Sequence, residues 1–81
     1  MSAATDPLMN PWHPMTDPVD LKHLLKLVEE LGEFISATAR CGMQGIDELH
    51  PVTGKSNREW LEDELADVYA NCQLIEERFG V

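Results

Sequence analysis

The sequence predicts an all-α domain made of two long antiparallel helices with a short helix in the loop between them. Two stretches in which apolar residues recur every three or four positions carry this prediction, and no stretch alternates polar and apolar residues as a half-buried strand does. A chain of 81 residues buries only about 60% of its unfolded surface, and two helices cannot cover both of their own apolar stripes. We therefore expect two chains to complete a four-helix bundle, as a homodimer or as a tetramer.

A proline-rich arm is predicted to precede the helical domain. Four of the five prolines lie in the first eighteen residues, where they remove backbone donors and keep the chain extended. Asp17-Pro18 is typical of a helix start. The residue before a proline is held extended, which is the backbone conformation of an N-cap. A proline at the first helical position lacks only a backbone donor that the helix would leave unpaired anyway. We expect an arm over residues 1–17 and a domain over 18–81.

The first helix is predicted from Pro18 to about Cys41, with Gly42 as its C-terminal cap. After it, residues 42–56 contain two glycines and a proline, which indicates a loop. This loop is expected to hold one short helical turn at 46–49. The apolar stripe of the first helix consists of Leu21, Leu24, Leu25, Val28, Leu31 and Ile35.

The second helix is predicted to begin after Ser56, because Ser56 and Glu59 have the spacing of a capping box. In that motif each side chain accepts a hydrogen bond from a backbone amide that the helix leaves unpaired. Gly80 is expected to end the helix. Its apolar stripe consists of Leu61, Leu65, Val68, Cys72, Ile75 and Phe79.

The composition excludes several classes of protein. Six basic residues against fifteen acidic ones give a net charge of -9, which disfavours binding to a nucleic acid polymer or to an anionic membrane. Cys41 and Cys72 lie far apart, so neither a disulfide scaffold nor a cysteine zinc site is expected, and both are interpreted as small buried side chains. No export signal or membrane span is recognised, which leads us to expect a cytoplasmic protein.

Acidic residues occur in matching pairs on the two predicted helices. Each pair has i, i+3 spacing, which places both carboxylates on one side of a helix. The pair on the second helix borders its apolar stripe, with Trp60 and Asn71 on the same line. The pairs are Glu30 with Glu33, flanked by Glu29 and Lys26, and Glu64 with Asp67.

Carboxylates at the edge of a core repel one another and lose hydration unless a cation lies between them. Oxygen ligands alone favour a hard ion such as Mg²⁺, for which Mn²⁺ is expected to substitute, and Mg²⁺ also binds phosphate oxygens of a substrate. The same spacing is common on solvated helix surfaces, so a purely solubilising role for these residues stays open.

Two motifs carry a resemblance to a known family. Glu29-Glu30-Leu31-Gly32-Glu33 and Glu64-Leu65-Ala66-Asp67-Val68 resemble the EExxE and ExxD signature of the MazG-like all-α nucleoside triphosphate pyrophosphohydrolases. The similarity covers about Leu21 to Phe79. In addition, residues 44–61 are similar to the compact phage-type members, some of which act on purine deoxynucleotides.

The resemblance implies hydrolysis of a nucleoside triphosphate between its α and β phosphates, with Mg²⁺ as cofactor. It implies that Glu29 and Glu33 are catalytic, Glu29 either by holding a ligand in place or as the base for the attacking water. It implies an asparagine contact to the nucleotide at Asn71. The implied metal ligands are Glu30, Glu33, Glu64 and Asp67.

Other side chains are candidates for contacts to the substrate. Lys55 and Arg58 lie near the start of the second helix, where exposed backbone donors favour anions. Lys26 lies one turn before Glu30, where it reaches either a phosphate or a neighbouring carboxylate. Trp60 is expected to pack in the core or to flank the nucleotide, and Trp12 of the arm offers a ring for stacking on a base.

The function expected from these observations is a Mg²⁺-dependent nucleotide pyrophosphohydrolase that acts on a nucleoside triphosphate, with a purine deoxynucleotide as the first candidate. Phosphoribosyl-ATP is the alternative substrate, although its extra phosphate calls for more cations than the chain offers. A non-catalytic acidic helical module that binds a basic partner is the alternative from another class. Thr53-Gly54-Lys55-Ser56 is not a nucleotide-binding P-loop, since position 49 is a leucine and no strand precedes it.

Overall fold

Two antiparallel helices form the fold. The computed structural model describes residues 12–81, and residues 1–11 of the predicted arm lie outside that range. Helix α1 spans Pro18–Gln44 and helix α2 spans Asn57–Phe79. Within residues 12–81 no strand forms apart from an isolated bridge between Leu49 and Ser56, so the all-α prediction is confirmed.

The ends of the two helices meet in the way that an antiparallel pair requires. Arg78, near the end of α2, donates from its Nε to Asp20 Oδ1 at 2.6 Å, and Asp20 lies in the first turn of α1. At the other end of the pair, Asn57 of α2 contacts Gln44 of α1. Neither described helix is long and apolar enough to cross a membrane.

The predicted start of α1 is confirmed. The Asp17 carboxylate accepts hydrogen bonds from the backbone amides of Val19 at 2.8 Å and Asp20 at 3.2 Å, which satisfies donors that a helix start leaves unpaired. These bonds to the charged form, with a smaller contribution from the nearby Arg78, lower the pKa of Asp17.

The predicted end of α1 was three residues too early. The helix passes through Gly42 and ends at Gly45, whose φ of 108° is open to glycine and strained for other residues. The Gly45 amide donates to Cys41 O at 3.0 Å. A glycine inside a helix costs only about 1 kcal/mol, so Gly42 does not by itself end α1.

The turn predicted at 46–49 forms over residues 46–47, where the Glu48 amide donates to Gly45 O at 3.3 Å, but it does not become the expected short helix. The backbone carbonyls of Ile46 and Glu48 accept hydrogen bonds from the amides of Arg58 at 2.7 Å and Asn57 at 2.9 Å, at the start of α2. These carbonyls pair with the first turn of α2 rather than with their own stretch of chain. The loop therefore caps the second helix.

Ser56 begins α2 as predicted, and its hydroxyl accepts from the Glu59 amide at 3.2 Å. The next residue, Asn57, is only 5% exposed. Its Nδ2 donates to Gly45 O at 2.9 Å and to Gln44 Oε1 at 3.3 Å, while its backbone carbonyl lies 3.5 Å from the Cys41 thiol. Asn57 thus ties the loop and the end of α1 to the start of α2.

The face of α1 that contacts α2 differs from the stripe expected to dominate that helix. Its buried members are Glu30 and Ala37, and half-buried residues continue the same row: His23, Leu24, Leu27, Phe34 and Cys41. The predicted stripe is largely open to solvent, with Leu25 63%, Val28 64% and Ile35 67% exposed. α1 is apolar around more than half of its circumference, so periodicity alone does not select the contacting row.

The stripe of α2 was predicted more successfully. Val68 is 8% exposed, and Leu61, Cys72, Ile75 and Phe79 are half-buried, whereas Leu65 is exposed. A single pair of helices therefore buries one row on each helix and leaves a second row of α1 uncovered.

Loss of the Asn57 amide is expected to destabilise the fold. Asn57→Ala removes the donor to Gly45 O and Gln44 Oε1 in a partly buried position, which costs about 1–3 kcal/mol. Urea unfolding followed by circular dichroism measures this change. Gln73→Ala is the matched control, because Gln73 is exposed and bonds only Glu77 on its own helix. Equal stabilities of the two variants at one protein concentration would contradict the assigned role.

Candidate metal centre

Three carboxylates meet between the two helices. Glu30 and Glu33 come from consecutive turns of α1, and Glu64 faces them from α2. One carboxylate oxygen of each residue lies within 4.8 Å of the others. The i, i+3 spacing on α1 brings the first two together, and helix packing brings the third.

The three side chains differ in burial, and two of them carry oxygens without a partner. Glu30 is 6% exposed, Glu64 is half-buried and Glu33 is exposed. The Oε2 atoms of Glu30 and Glu64 are buried and accept no hydrogen bond. A buried acceptor that is left unsatisfied costs roughly 1–3 kcal/mol, and more when it is charged, so these two atoms require an explanation.

The electrostatics of Glu64 reflect this crowding. Burial raises the pKa of Glu64, and the charge of Glu33 together with its hydrogen bond to Glu64 raises it further. Glu30 and Asp67 act in the same direction by charge repulsion. The protein on its own therefore holds Glu64 in an environment that disfavours its charged form.

A lysine partly compensates the cluster on one side. Lys26 Nζ lies 2.9 Å from Glu29 Oε1 and 3.0 Å from Glu30 Oε1. The hydrogen bond to Glu29, followed by the one to Glu30, raises the pKa of Lys26. Lys26 and Glu29, predicted to contact substrate and to act in catalysis, are thus paired with each other at the exposed edge of the cluster. The second oxygen of Glu30 stays unpaired.

The remaining predicted residues are placed as follows. Asp67 lies one turn beyond Glu64 and is exposed; it is not one of the three residues whose oxygens converge. Asn71 donates from its side-chain amide to the backbone carbonyl of Asp67 at 2.8 Å. Trp12 is 79% exposed. The roles of these three residues stay predictions.

A cleft opens directly beside the carboxylates. It has a volume of about 370 Å³ and is lined by Glu33, Ser36, Ala37, Arg40, Trp60 and Glu64. Trp60 is half-buried and its indole Nε1 has no acceptor. Trp60 therefore both packs against the helices and forms a wall of the cleft, so the two roles weighed for it from the sequence are compatible.

Two predicted phosphate contacts are occupied by other partners. Lys55 Nζ lies 4.2 Å from the centre of the Trp60 ring and pairs with Asp63. Arg58 Nε donates to Asp47 Oδ1 at 2.9 Å, and this hydrogen bond lowers the pKa of Asp47. Arg58 does not line the cleft. Its contribution as a substrate contact stays a prediction.

Arg40 and Ser36 line the cleft but were not predicted from the sequence. Within residues 12–81, Arg40 makes no ion pair with a carboxylate, whereas Lys26, Lys55, Arg58 and Arg78 each make at least one. The available signal was spacing, because Ser36 and Arg40 follow Glu33 by three and seven residues on one side of α1. Arg40 is thus a cation of the cleft without a carboxylate partner in the described chain.

The donor set is made of carboxylate oxygens alone. Such a set suits a hard divalent ion, and the two unpartnered oxygens of Glu30 and Glu64 are free to accept one. Sulfur and imidazole ligands are not part of the converging group. The residues present therefore fit a metal ion that prefers oxygen ligands.

Comparison of the chain with protein-family models, with curated proteins and with solved structures finds no match. The geometry of the three carboxylates and the resemblance of the two acidic motifs are therefore the basis for a functional proposal.

The pH dependence of unfolding of the metal-free protein tests the environment of Glu64. Because the folded-state pKa of Glu64 is raised above its unfolded value, the folded state holds this proton more tightly. The stability contributed by this group is fully present below the unfolded pKa and is lost as the pH rises through the folded pKa. We expect Glu64→Gln to gain stability relative to the wild type over that window, measured by urea unfolding with a chelator present.

The difference between the two proteins isolates Glu64. Asp17 and Asp47 have lowered pKa values, so their contributions are lost as the pH falls, but they act alike in both proteins. Glu76→Gln is the control, since Glu76 is exposed. A wild-type minus Glu64→Gln difference that does not vary with pH would show that Glu64 titrates normally.

Proposed function

We propose that this chain is a Mg²⁺-dependent nucleotide pyrophosphohydrolase that hydrolyses a nucleoside triphosphate to the monophosphate and pyrophosphate. The observation that carries the proposal is the cluster of Glu30, Glu33 and Glu64, in which two oxygens are buried without a partner. The resemblance of the two acidic motifs to the MazG-like enzymes supplies the reaction.

The burial of Glu30 supports a binding role for the cluster rather than a purely solubilising one. Carboxylates that only keep a helix soluble extend into water, where their charges are hydrated. Glu30 instead lies in the contact between the helices, where an apolar side chain would pack at lower cost. A cation that pairs with the free oxygens compensates this cost.

The proposed ligands are Glu30, Glu33 and Glu64, with Asp67 of the next turn as the fourth. Mg²⁺ is favoured because few carboxylates and several waters satisfy it, and Mn²⁺ has similar preferences. When bound, such an ion supplies charge neutralisation for the phosphate oxygens and lowers the pKa of a bound water.

Side chains of the cleft and of its edge have further proposed roles. Glu29 is exposed beside Lys26 at the edge of the carboxylate cluster, and its proposed role is to accept a proton from the attacking water. Arg40 offers a guanidinium to phosphate oxygens at the cleft wall. The Trp60 ring excludes water from one side of the carboxylates. The net charge of -9 favours a metal-complexed nucleotide over a bare triphosphate.

Self-association is part of the proposal. The uncovered row of α1 includes Leu25, Val28 and Ile35, and on α2 Leu65 and Tyr69 are also exposed. At about 100° per residue, Val28 and Ile35 lie more than a third of a turn away from Glu33 around α1. A second copy that covers this row completes a four-helix bundle without covering the carboxylate side of α1.

Neutral variants of the ligands are expected to abolish turnover. Glu33→Gln and Glu64→Gln keep the size of each side chain but remove the charge that binds a divalent ion, so kcat/KM should fall by two or more orders of magnitude. Products of nucleotide incubation with Mg²⁺ are resolved by chromatography, and Glu76→Gln is the control. Helix content measured by circular dichroism should be unchanged in all three variants.

The products decide between the alternatives. Monophosphate with pyrophosphate supports the proposal, whereas diphosphate with phosphate identifies a different hydrolase. Turnover of phosphoribosyl-ATP alone selects that substrate. No turnover of any nucleotide by a protein that binds Mn²⁺ favours an acidic interaction module and contradicts the enzyme.

Disruption of the uncovered row is expected to yield monomers. Each buried Leu or Val contributes about 1.5–3 kcal/mol, so Leu25→Lys with Val28→Lys should raise the dissociation constant of the dimer at least a hundredfold. Sedimentation equilibrium measures the mass. Val52→Lys is the control, because Val52 is 86% exposed in the loop. A wild-type monomer at micromolar concentration would contradict the proposed assembly.

A further inference from the structure

We propose that a second cavity, next to the metal-centre cleft, binds the base of the nucleotide and favours a base with a keto group over one with an amino group at the same position. This inference rests on the proposed function. None of the residues that line this cavity is a proposed metal ligand, and Arg40 is the residue that it shares with the cleft.

The second cavity adjoins the first along α1. It has a volume of about 320 Å³ and is lined by Arg40, Gln44, Leu49, His50, Pro51 and Asn57. Arg40 lines both cavities. From Glu33 to Gln44 the helix rises about 16 Å at 1.5 Å per residue. In the proposed arrangement the phosphates lie at the carboxylates and the base lies in this second cavity, with Arg40 between them.

The hydrogen bonds that His50 accepts at Nδ1 determine that its other ring nitrogen, Nε2, is a donor. His50 Nδ1 accepts from the backbone amides of Val52 at 3.1 Å and Thr53 at 3.2 Å. Because Nδ1 is the acceptor, the proton of the neutral ring lies on Nε2. Nε2 is then available to donate to a ligand.

The side chains of α1 add further donors. Asn57 Nδ2 donates to Gln44 Oε1 at 3.3 Å, which orients the Gln44 amide so that its Nε2 donors are the unused atoms. Arg40 offers a guanidinium and makes no ion pair with any carboxylate among residues 12–81. The available polar groups of this cavity are therefore mostly donors, while Leu49 and Pro51 provide apolar contact for the face of a ring.

A cavity lined mostly by hydrogen-bond donors favours bases that present acceptors to it. On the edge that faces the major groove of a duplex, guanine offers two acceptors, O6 and N7, and thymine offers the acceptor O4. On the same edge adenine combines the N7 acceptor with an amino donor at N6, and cytosine presents an amino donor at N4. An amino group that meets a cavity of donors leaves both sides unpaired, and sites built on hydrogen bonding reject such analogues strongly.

The cavity is held in shape before a ligand arrives. The His50 amide donates to Lys55 O at 2.8 Å, and the Gly54 amide donates to His50 O at 2.9 Å. Asn57 is buried beneath the loop and bonds to the end of α1. A binding surface fixed in this way loses little ordering entropy when it binds.

The test compares kcat/KM for dGTP and dTTP with that for dATP and dCTP in the wild type and in Gln44→Glu. This substitution keeps the oxygen that accepts from Asn57 and replaces the donor by an acceptor. We expect the wild type to prefer dGTP over dATP by about tenfold or more and the variant to lose about tenfold of that preference. Gln73→Glu is the control. Mn²⁺ affinity measured by calorimetry should be the same in all three proteins.

The outcomes separate this inference from the proposed function. The base pocket is overturned, and the metal centre is left intact, by either of two results. In the first, Gln44→Glu binds Mn²⁺ with unchanged affinity and keeps the wild-type ratio of dGTP to dATP hydrolysis. In the second, the wild type prefers bases with an amino group.

If no nucleotide is hydrolysed, dGMP and dAMP are titrated into the isotope-labelled protein. Shifts of the Gln44 and His50 amide signals with dGMP and weaker ones with dAMP support the pocket. Equal or absent shifts overturn it.

Discussion

The burial of Glu30 between the helices is the constraint on which the rest of the structure depends. A carboxylate in a helix contact loses hydration, and one of its oxygens is compensated by Lys26 while the other is not. Glu64 meets it from the opposite helix with an unpaired oxygen of its own. This arrangement is unfavourable for a protein without a ligand, and the proposed cation between the helices would compensate its cost.

The same constraint explains the distribution of charge in the cleft. The chain has only six basic residues against fifteen acidic ones. Four of these six form ion pairs with carboxylates of the described residues. Arg40 is not among them and lies at the boundary of two cavities. Of the two basic residues without a carboxylate partner among residues 12–81, Lys22 and Arg40, only Arg40 lines the cleft.

Local signals in the sequence were sufficient to predict the two helices and where each begins. Tertiary packing determines the loop and the face of α1 that contacts α2. The start of α1 and the start of α2 were predicted because each depends on a cap within three residues. Three features were not predicted, because each depends on partners distant in sequence. They are the end of α1, the absence of a helix in the loop, and the row of α1 that contacts α2. Asn57 N–H and Arg58 N–H determine the loop, and a helix that is apolar on two sides offers no local reason to choose one of them. The acidic pairs were recognisable by spacing, whereas Arg40 shares its position with ordinary surface residues.

The position of Trp60 has a further consequence. Its indole lies in the wall of the cleft beside Glu33 and Glu64, under the ammonium group of Lys55, and its Nε1 has no partner. The other tryptophan, Trp12, is 79% exposed and precedes both helices. The wavelength of indole fluorescence depends on nearby charges, which here are the carboxylates of the cluster. The emission of Trp60 is therefore expected to shift when those charges are neutralised.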